Sequence, residues 1–401
     1  MHFIDSNFKT IQFSAFFTMP DDLHQRAYRN VLPNVLTKTN DLYKTKLTFN
    51  EHLEDLYGAY FRQRVEKYGD QSVISITLTI PDPKIVKDQA LFHQALKLFK
   101  STIFERNLLN EEAYNDEKRN LIELYQGLKD RKRQYAQLKF FENFFYHDND
   151  RVPIAGSLSD IKKMTFEGLS EYYQSVLKEN KIEVIVNGSL SHEMKEDLLK
   201  AFPNEKENTY QVITKFRNPR NLKTIKESIE TKQAVIFIGY VLPIYIKESL
   251  YEAALLCDAI LGETPESRLF KHIREEKGLC YDVSSSYDGY KGILMIHSGV
   301  SIEQKNEALN AMVELVDDLI KHGITQEELD SAKSYVSHMF KSNTDSQSAL
   351  TRRKFSSLIL NDPSTIDDRL ERILQVTIDD IHKVLEQLTL DTIYMLEDKH
   401  D

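Results

Sequence analysis

Residues 264–299 read TPESRLFKHIREEKGLCYDVSSSYDGYKGILMIHSG. Thr264 suits an N-cap and Pro265 the first helical position, while Leu269, Phe270 and Ile273 recur on one helical face. Gly278 follows, where a left-handed residue ends a helix. From Leu279 the pattern becomes a strand, Asp288-Gly289 offers a hairpin turn, and Ile293 to Ile296 returns as an apolar strand. This order puts Arg274 in the last helical turn and Tyr281 near the start of the strand, both placed to face one space.

The same order occurs earlier in the chain. A strand at Ile11–Phe17 and a helix at Asp21–Leu36 precede a second helix ended by Gly58, which lies 220 positions before Gly278. The run Val73–Ile80 alternates Ile74, Ile76, Leu78 and Ile80 with Ser and Thr, and pairs as a hairpin across Gly69-Asp70. LLNEEAYNDEK at 108–118 matches GITQEELDSAK at 323–333, and MTFEGL at 164–169 matches VTIDDI at 376–381. The strand Thr392–Leu396 repeats Ile182–Val186. One module is thus present twice, with the boundary in the polar segment 204–223 and modules at 1–205 and 225–401. Hairpins with helices grouped between them predict an α+β fold: two tandem homologous modules, each a mainly antiparallel sheet with helices packed on one face.

At 401 residues the chain is too long for one ordinary core and fits two. No apolar run reaches the roughly 18 residues that span a bilayer, and the start MHFIDSNFKT lacks a signal-peptide layout, so the expected location is cytoplasmic with no membrane partner. A net charge of -10 argues against nucleic acid and suits basic peptides. The two cysteines, Cys257 and Cys280, are too few for a disulfide framework or a cysteine metal site, and both read as core positions.

The run S-R-L-F-x-x-I-R-E-E-K-G-L-C-Y-D-V resembles the C-terminal halves of the pitrilysin, insulinase and mitochondrial processing peptidase family, the inverzincin metallopeptidases. The resemblance implies two tandem α/β modules over nearly the whole chain. It also implies that Arg274 and Tyr281 hold a peptide substrate's main chain opposite a zinc ion, and that four such modules, from two chains, enclose a chamber. From the residues alone, Arg274 equally complements the negative end of its helix and Tyr281 equally serves as a half-buried strand residue.

Peptide-cutting relatives carry H-x-x-E-H on the first long helix, with a third acidic ligand roughly 75 to 85 residues further on. The matching helix here, RAYRNVLPNVL, places Asn30, Pro33 and Asn34 at those positions. Asn is a poor zinc ligand, and Pro has no base to activate water and should disturb the helix. The distal region keeps Glu117 and Glu123, which read as solvated acids once the other ligands are gone. His24, His52, His147, His192 and the pair His382 with Glu386 are scattered, the last reading as solvent-facing. No metal is therefore expected on this chain, and zinc is expected on a partner.

Two expectations about function follow, with a third in reserve. The chain is a non-zinc subunit of a two-chain processing peptidase, contributing Arg274 and Tyr281 to a homologous zinc-bearing subunit that cuts a peptide. Alternatively it is a catalytically inactive peptide-binding or scaffold protein that forms a homodimer. The third, an independent hydrolase with Cys280 as nucleophile, lacks a neighbouring His in any recognisable pattern.

Overall fold

The computed structural model describes residues 1–145, 149–202, 212, 214 and 218–400. The boundary segment 204–223 falls mostly outside these residues, as does His147. The chain gathers into two compact units. Met1–Gln126, Pro153–Ile213 and Thr344–Pro363 form the first; Gly127–Val152, Thr214–Asn343 and Ser364–Asp401 form the second.

In the first unit, β1 (His2–Asp5), β2 (Thr10–Pro20), β3 (Tyr60–Tyr68), β4 (Gln71–Pro81) and β5 (Lys181–Gly188) make one sheet in the order β1-β5-β2-β4-β3. All pairs are antiparallel except β1 with β5. Because side chains alternate along a strand, Ile11, Phe13, Ala15 and Phe17 of β2 and Ile74, Ile76, Leu78 and Ile80 of β4 enter one core. The helices Arg26–Leu36, Leu91–Ile103 and Phe166–Glu179 bury their apolar stripes in the same core.

The Ser and Thr positions of that alternation do not all face water. The helix Gln347–Leu360 lies over the opposite face, stacking Phe355 on Phe16 with ring centres 4.1 Å apart. Gln347 donates to the carbonyl oxygens of Thr10 and Asn187, at 2.9 Å each, and accepts from the Thr10 hydroxyl at 2.6 Å. Ser14 is fully buried and satisfied by the Thr77 hydroxyl at 2.8 Å.

The second unit repeats the plan. Its strands β6 (Lys223–Ile229), β7 (Ala234–Val241), β8 (Cys280–Asp288), β9 (Ile293–Val300) and β10 (Thr389–Asp398) run in the order β6-β10-β7-β9-β8, antiparallel except β6 with β10. Here the helix Lys132–Phe144 covers the sheet, burying Tyr135, Ala136, Phe140 and Phe144 on Phe237, Val241, Met295, Tyr394 and Leu396. A side chain at Gly239 would come within 2.5 Å of the Phe140 ring, so glycine lets this helix approach. Two helices thus lie on the far side of the 205–225 segment from the sheet they cover. Each follows the long helix of its own repeat, Glu111–Gln126 or Gln326–Ser342.

Gly58 and Gly278 both adopt left-handed conformations, with φ of 73° and 62°. Tyr68 pairs with Gln71 across the two-residue turn Gly69-Asp70. The second hairpin turns over four residues instead, and Gly292 at φ 63°, not Gly289, takes the left-handed position. Asp288 drives this longer turn by accepting from the N–H groups of Tyr290 and Lys291. Thr264 opens a turn rather than capping a helix; regular winding starts at Leu269 and is π-helical to Glu276. The helix Arg26–Leu36 continues past Pro33, which it buries, rather than ending there. Among the described residues no helix is long and apolar enough to cross a membrane.

Candidate functional site

In the second unit, Leu269 and Ile273 anchor the π-helical segment in the core, which leaves Arg274 on the exposed side with its guanidinium over the Phe270 ring at 4.5 Å. Gly278 then reverses the chain, with the Leu279 N–H donating to the Ile273 carbonyl at 3.0 Å. β8, the edge of its sheet, begins two residues later.

The register of β8 slips at its start. Cys280 faces Val300 and Asp282 faces Gly299, so Tyr281 is the extra residue of a β-bulge. A bulge re-aims its side chain, and the Tyr281 ring is 80% exposed. This overturns the half-buried strand reading of Tyr281. Among the described residues no hydrogen bond joins Arg274 to Tyr281; both side chains stand in solvent at the same end of β8, and the charge of Arg274 reaches the Cys280 thiol.

Below the bulge the strand is pinned by a group that sequence reading passed over. Asp258, fully buried at the end of the helix Tyr251–Asp258, accepts from the Ser285 hydroxyl and from the Tyr287 N–H at 2.7 Å. Burial pushes this carboxyl up to about 7, against the opposing effect of the Ser285 bond and with help from the Glu263 charge. A lone Asp inside the apolar run LLCDAIL was the available signal. On the other face of the sheet, burial and the Arg133 charge lower His297 to about 4, keeping it neutral at ordinary pH. The thiols are poor nucleophiles: burial raises Cys280 above its usual range and Cys257 to about 12.

Asn30, Pro33 and Asn34, expected from the resemblance to stand where a zinc motif would be, belong to the first unit. Their helix is fixed by Arg29, buried and donating to Ser72 Oγ at 2.8 Å, to Tyr172 and Asn180 at 3.0 Å, and to the carbonyl oxygens of Phe17 and Ser72. Asn34 accepts from the Gln63 amide of β3 at 2.7 Å and donates to the Asn30 carbonyl at 3.2 Å. Glu117 is not a solvated acid; it is largely buried and its carboxylate lies 3.7 Å from the Lys38 ammonium, while Glu123 is exposed. Two amides, one of them engaged by Gln63, a buried proline and a lysine-paired glutamate do not fit zinc. Among the described residues no group of three or more His, Cys, Asp or Glu is arranged to hold a metal.

Residues 163–336 match the family model described as Peptidase M16 inactive domain. Over 397 residues, 97% of this chain and 93% of the relative, the chain is 25% identical to the probable inactive metalloprotease YmfF of Bacillus subtilis. It is 24% identical over 358 residues to the zinc protease PqqE of Helicobacter pylori, covering 85% and 80% of the two chains. A conserved protein from Enterococcus faecalis V583 has the same fold, with a TM-score of 0.89 over 100% of this chain and 96% of that one at 24% identity. With the paired sheets and the run from Ser267 to Val283, these likenesses make the chain similar to Peptidase M16 inactive-domain proteins, through the family model over residues 163–336 and through relatives matched over most of its length.

Proposed function

We propose that this chain is the non-zinc subunit of a two-chain processing metallopeptidase, and that Arg274 and Tyr281 grip the substrate for a homologous subunit that carries zinc. The observation that carries this reading is Tyr281, pushed out of an edge strand by a bulge and 80% exposed, on the strand that follows the helix bearing Arg274. A bulge of this kind re-aims a side chain, and bulges are over-represented beside active sites. The free edge of β8 over Asp282 to Ser286 can take a peptide as an added strand, through main-chain hydrogen bonds. Arg274 and Tyr281 would then donate to the peptide carbonyl as charge grows on it, and a zinc held by the partner would supply the activated water.

A second reading is favoured by the name of the Bacillus subtilis relative, an inactive metalloprotease: a self-paired scaffold that binds peptides without cutting them. Mixing the chain with a zinc-bearing relative and assaying a peptide library separates the two. Cleavage that appears or rises sharply only in the mixture supports the subunit. A stable self-dimer that leaves the relative's turnover unchanged supports the scaffold and overturns the first reading.

A further inference from the structure

The covered face of the first unit's sheet holds a pocket that neither the zinc positions nor the Arg274–Tyr281 strand uses. Tyr60, Arg62 and Arg64 alternate onto this face from β3, and Thr79, Thr77 and Ser75 of β4 stand opposite them in register. The first turns of the helix Gln347–Leu360 add Ser348, Thr351 and Arg352. Three guanidinium groups and several hydroxyls therefore line one pocket, with no carboxylate among its lining residues. In a chain of net charge -10 this is a local reversal of sign.

Three further features point the same way. Arg64 approaches Glu66 at only 3.8 Å, and neither Arg62 nor Arg352 lies within ion-pair distance of an acid among the described residues. The N-terminal turn of a helix adds positive potential. Gln12, 6% exposed, bonds Ser348 through its amide nitrogen at 3.2 Å, while its amide oxygen has no partner. Because the Ser348 hydroxyl can donate as readily as accept, the Gln12 amide can turn over and offer its N–H2 instead. The pocket has room for a few water molecules, and so for a carboxylate group.

We infer that this pocket is a carboxylate site, in which Arg62 and Arg352 hold an acidic side chain of a peptide lying along the free edge of β3. Planar guanidinium groups match a carboxylate in two-pronged fashion, and the surrounding hydroxyls satisfy its remaining lone pairs. A strand added at β3 would set alternate side chains over Tyr60, Arg62 and Arg64, which is how the pocket would be reached. The inference rests on the reading of this chain as a peptide binder, but not on its pairing with a zinc subunit.

The test uses the intact chain and two fluorescein-labelled nine-residue peptides that differ only by Glu or Gln at the centre, followed by anisotropy. The Glu peptide should bind about tenfold more tightly, as expected for one charge-assisted contact. Arg62→Gln with Arg352→Gln should abolish the difference, whereas Lys97→Gln with Lys178→Gln, an equal charge change elsewhere on the exposed surface, should keep it. Melting curves of the variants verify folding. Equal affinity for both peptides, no binding of either, or discrimination that survives in the arginine variant would each overturn the inference. Inorganic phosphate that raises the melting temperature of the wild type but not of the arginine variant, with no peptide preference, would reassign the pocket to free oxyanions and overturn the peptide assignment. Cleavage by a reconstituted pair is a separate measurement, so the pocket and the subunit reading can fail independently.

Discussion

Asp258 and Ser285 meet inside the core of the second unit, where the serine hydroxyl donates to a carboxyl group that is wholly buried. The Tyr287 N–H supplies the other contact, so one side chain ties the helix Tyr251–Asp258 to the strand that displays Tyr281. Its proton affinity makes that tie pH-dependent. Burial lifts the carboxyl to about 7 from an ordinary value near 3.8. Between those values the unfolded chain has released this proton and the folded chain retains it, so this group's contribution to stability falls as the pH rises through that window. Asp258→Asn carries no charge; its Oδ1 can accept from the Tyr287 N–H while its N–H2 donates to the Ser285 Oγ, so both contacts survive with the second reversed in direction. It should flatten the fall in melting temperature between pH 5 and pH 8 and stabilise the protein by roughly 2 to 4 kcal/mol at pH 8. Parallel curves for variant and wild type would show that Asp258 is already ionised in the fold.

Arg274→Ala and Tyr281→Phe bear on the proposed activity. Both side chains are exposed, so neither change should move the melting temperature by more than about 1 °C. In a reconstituted pair each should lower kcat by on the order of 100- to 1,000-fold, the usual effect of losing one donor to a developing oxyanion. Size-exclusion chromatography would verify that the pair still assembles. Turnover within twofold of wild type for both variants would remove the gripping role.

Metal content distinguishes the two chains of the proposed pair. Asn30, Pro33 and Asn34 offer no imidazole, and Glu117 is held by Lys38. Elemental analysis of the isolated chain after dialysis should find well under 0.1 zinc per chain, by the donor set alone. One tightly held zinc per chain would contradict the reading.

Two glycines should respond to alanine for different reasons. At Gly278 nothing lies within 4 Å of an added methyl group, so only the left-handed backbone resists, at a cost of about 1 kcal/mol. At Gly239 the backbone conformation is ordinary, but the new methyl would press on Phe140 and Phe144 at 2.5 and 2.7 Å. Displacing the covering helix there should cost roughly 1 to 3 kcal/mol. Urea unfolding of both variants would rank them, and Gly278→Ala proving the more damaging would place the strain in the turn instead.

Alternation in Val73–Ile80, the spacing of Leu269 and Ile273, and the glycines at 58 and 278 are local signals. They were enough to establish two copies of one α+β module and to place Arg274 and Tyr281 on adjoining elements, because side-chain period and left-handed φ depend on a few neighbouring residues. The lack of imidazole or carboxylate at Asn30, Pro33 and Asn34 was equally legible, since it is a matter of residue identity. Which sheet each covering helix joins was not: the stripe of Tyr135, Phe140 and Phe144 says that a face must be buried and is silent about its acceptor. Nor could the bulge at Tyr281 be read, because it is a property of the pairing with Val300 and Gly299 rather than of β8 alone. Asp258 holds its proton only because the core closes around it, and Arg62 and Arg352, 290 residues apart in the chain, line one pocket. Residue types and local spacing decided the elements; burial and partner register, which exist only once distant segments have packed, decided how those elements present their chemistry.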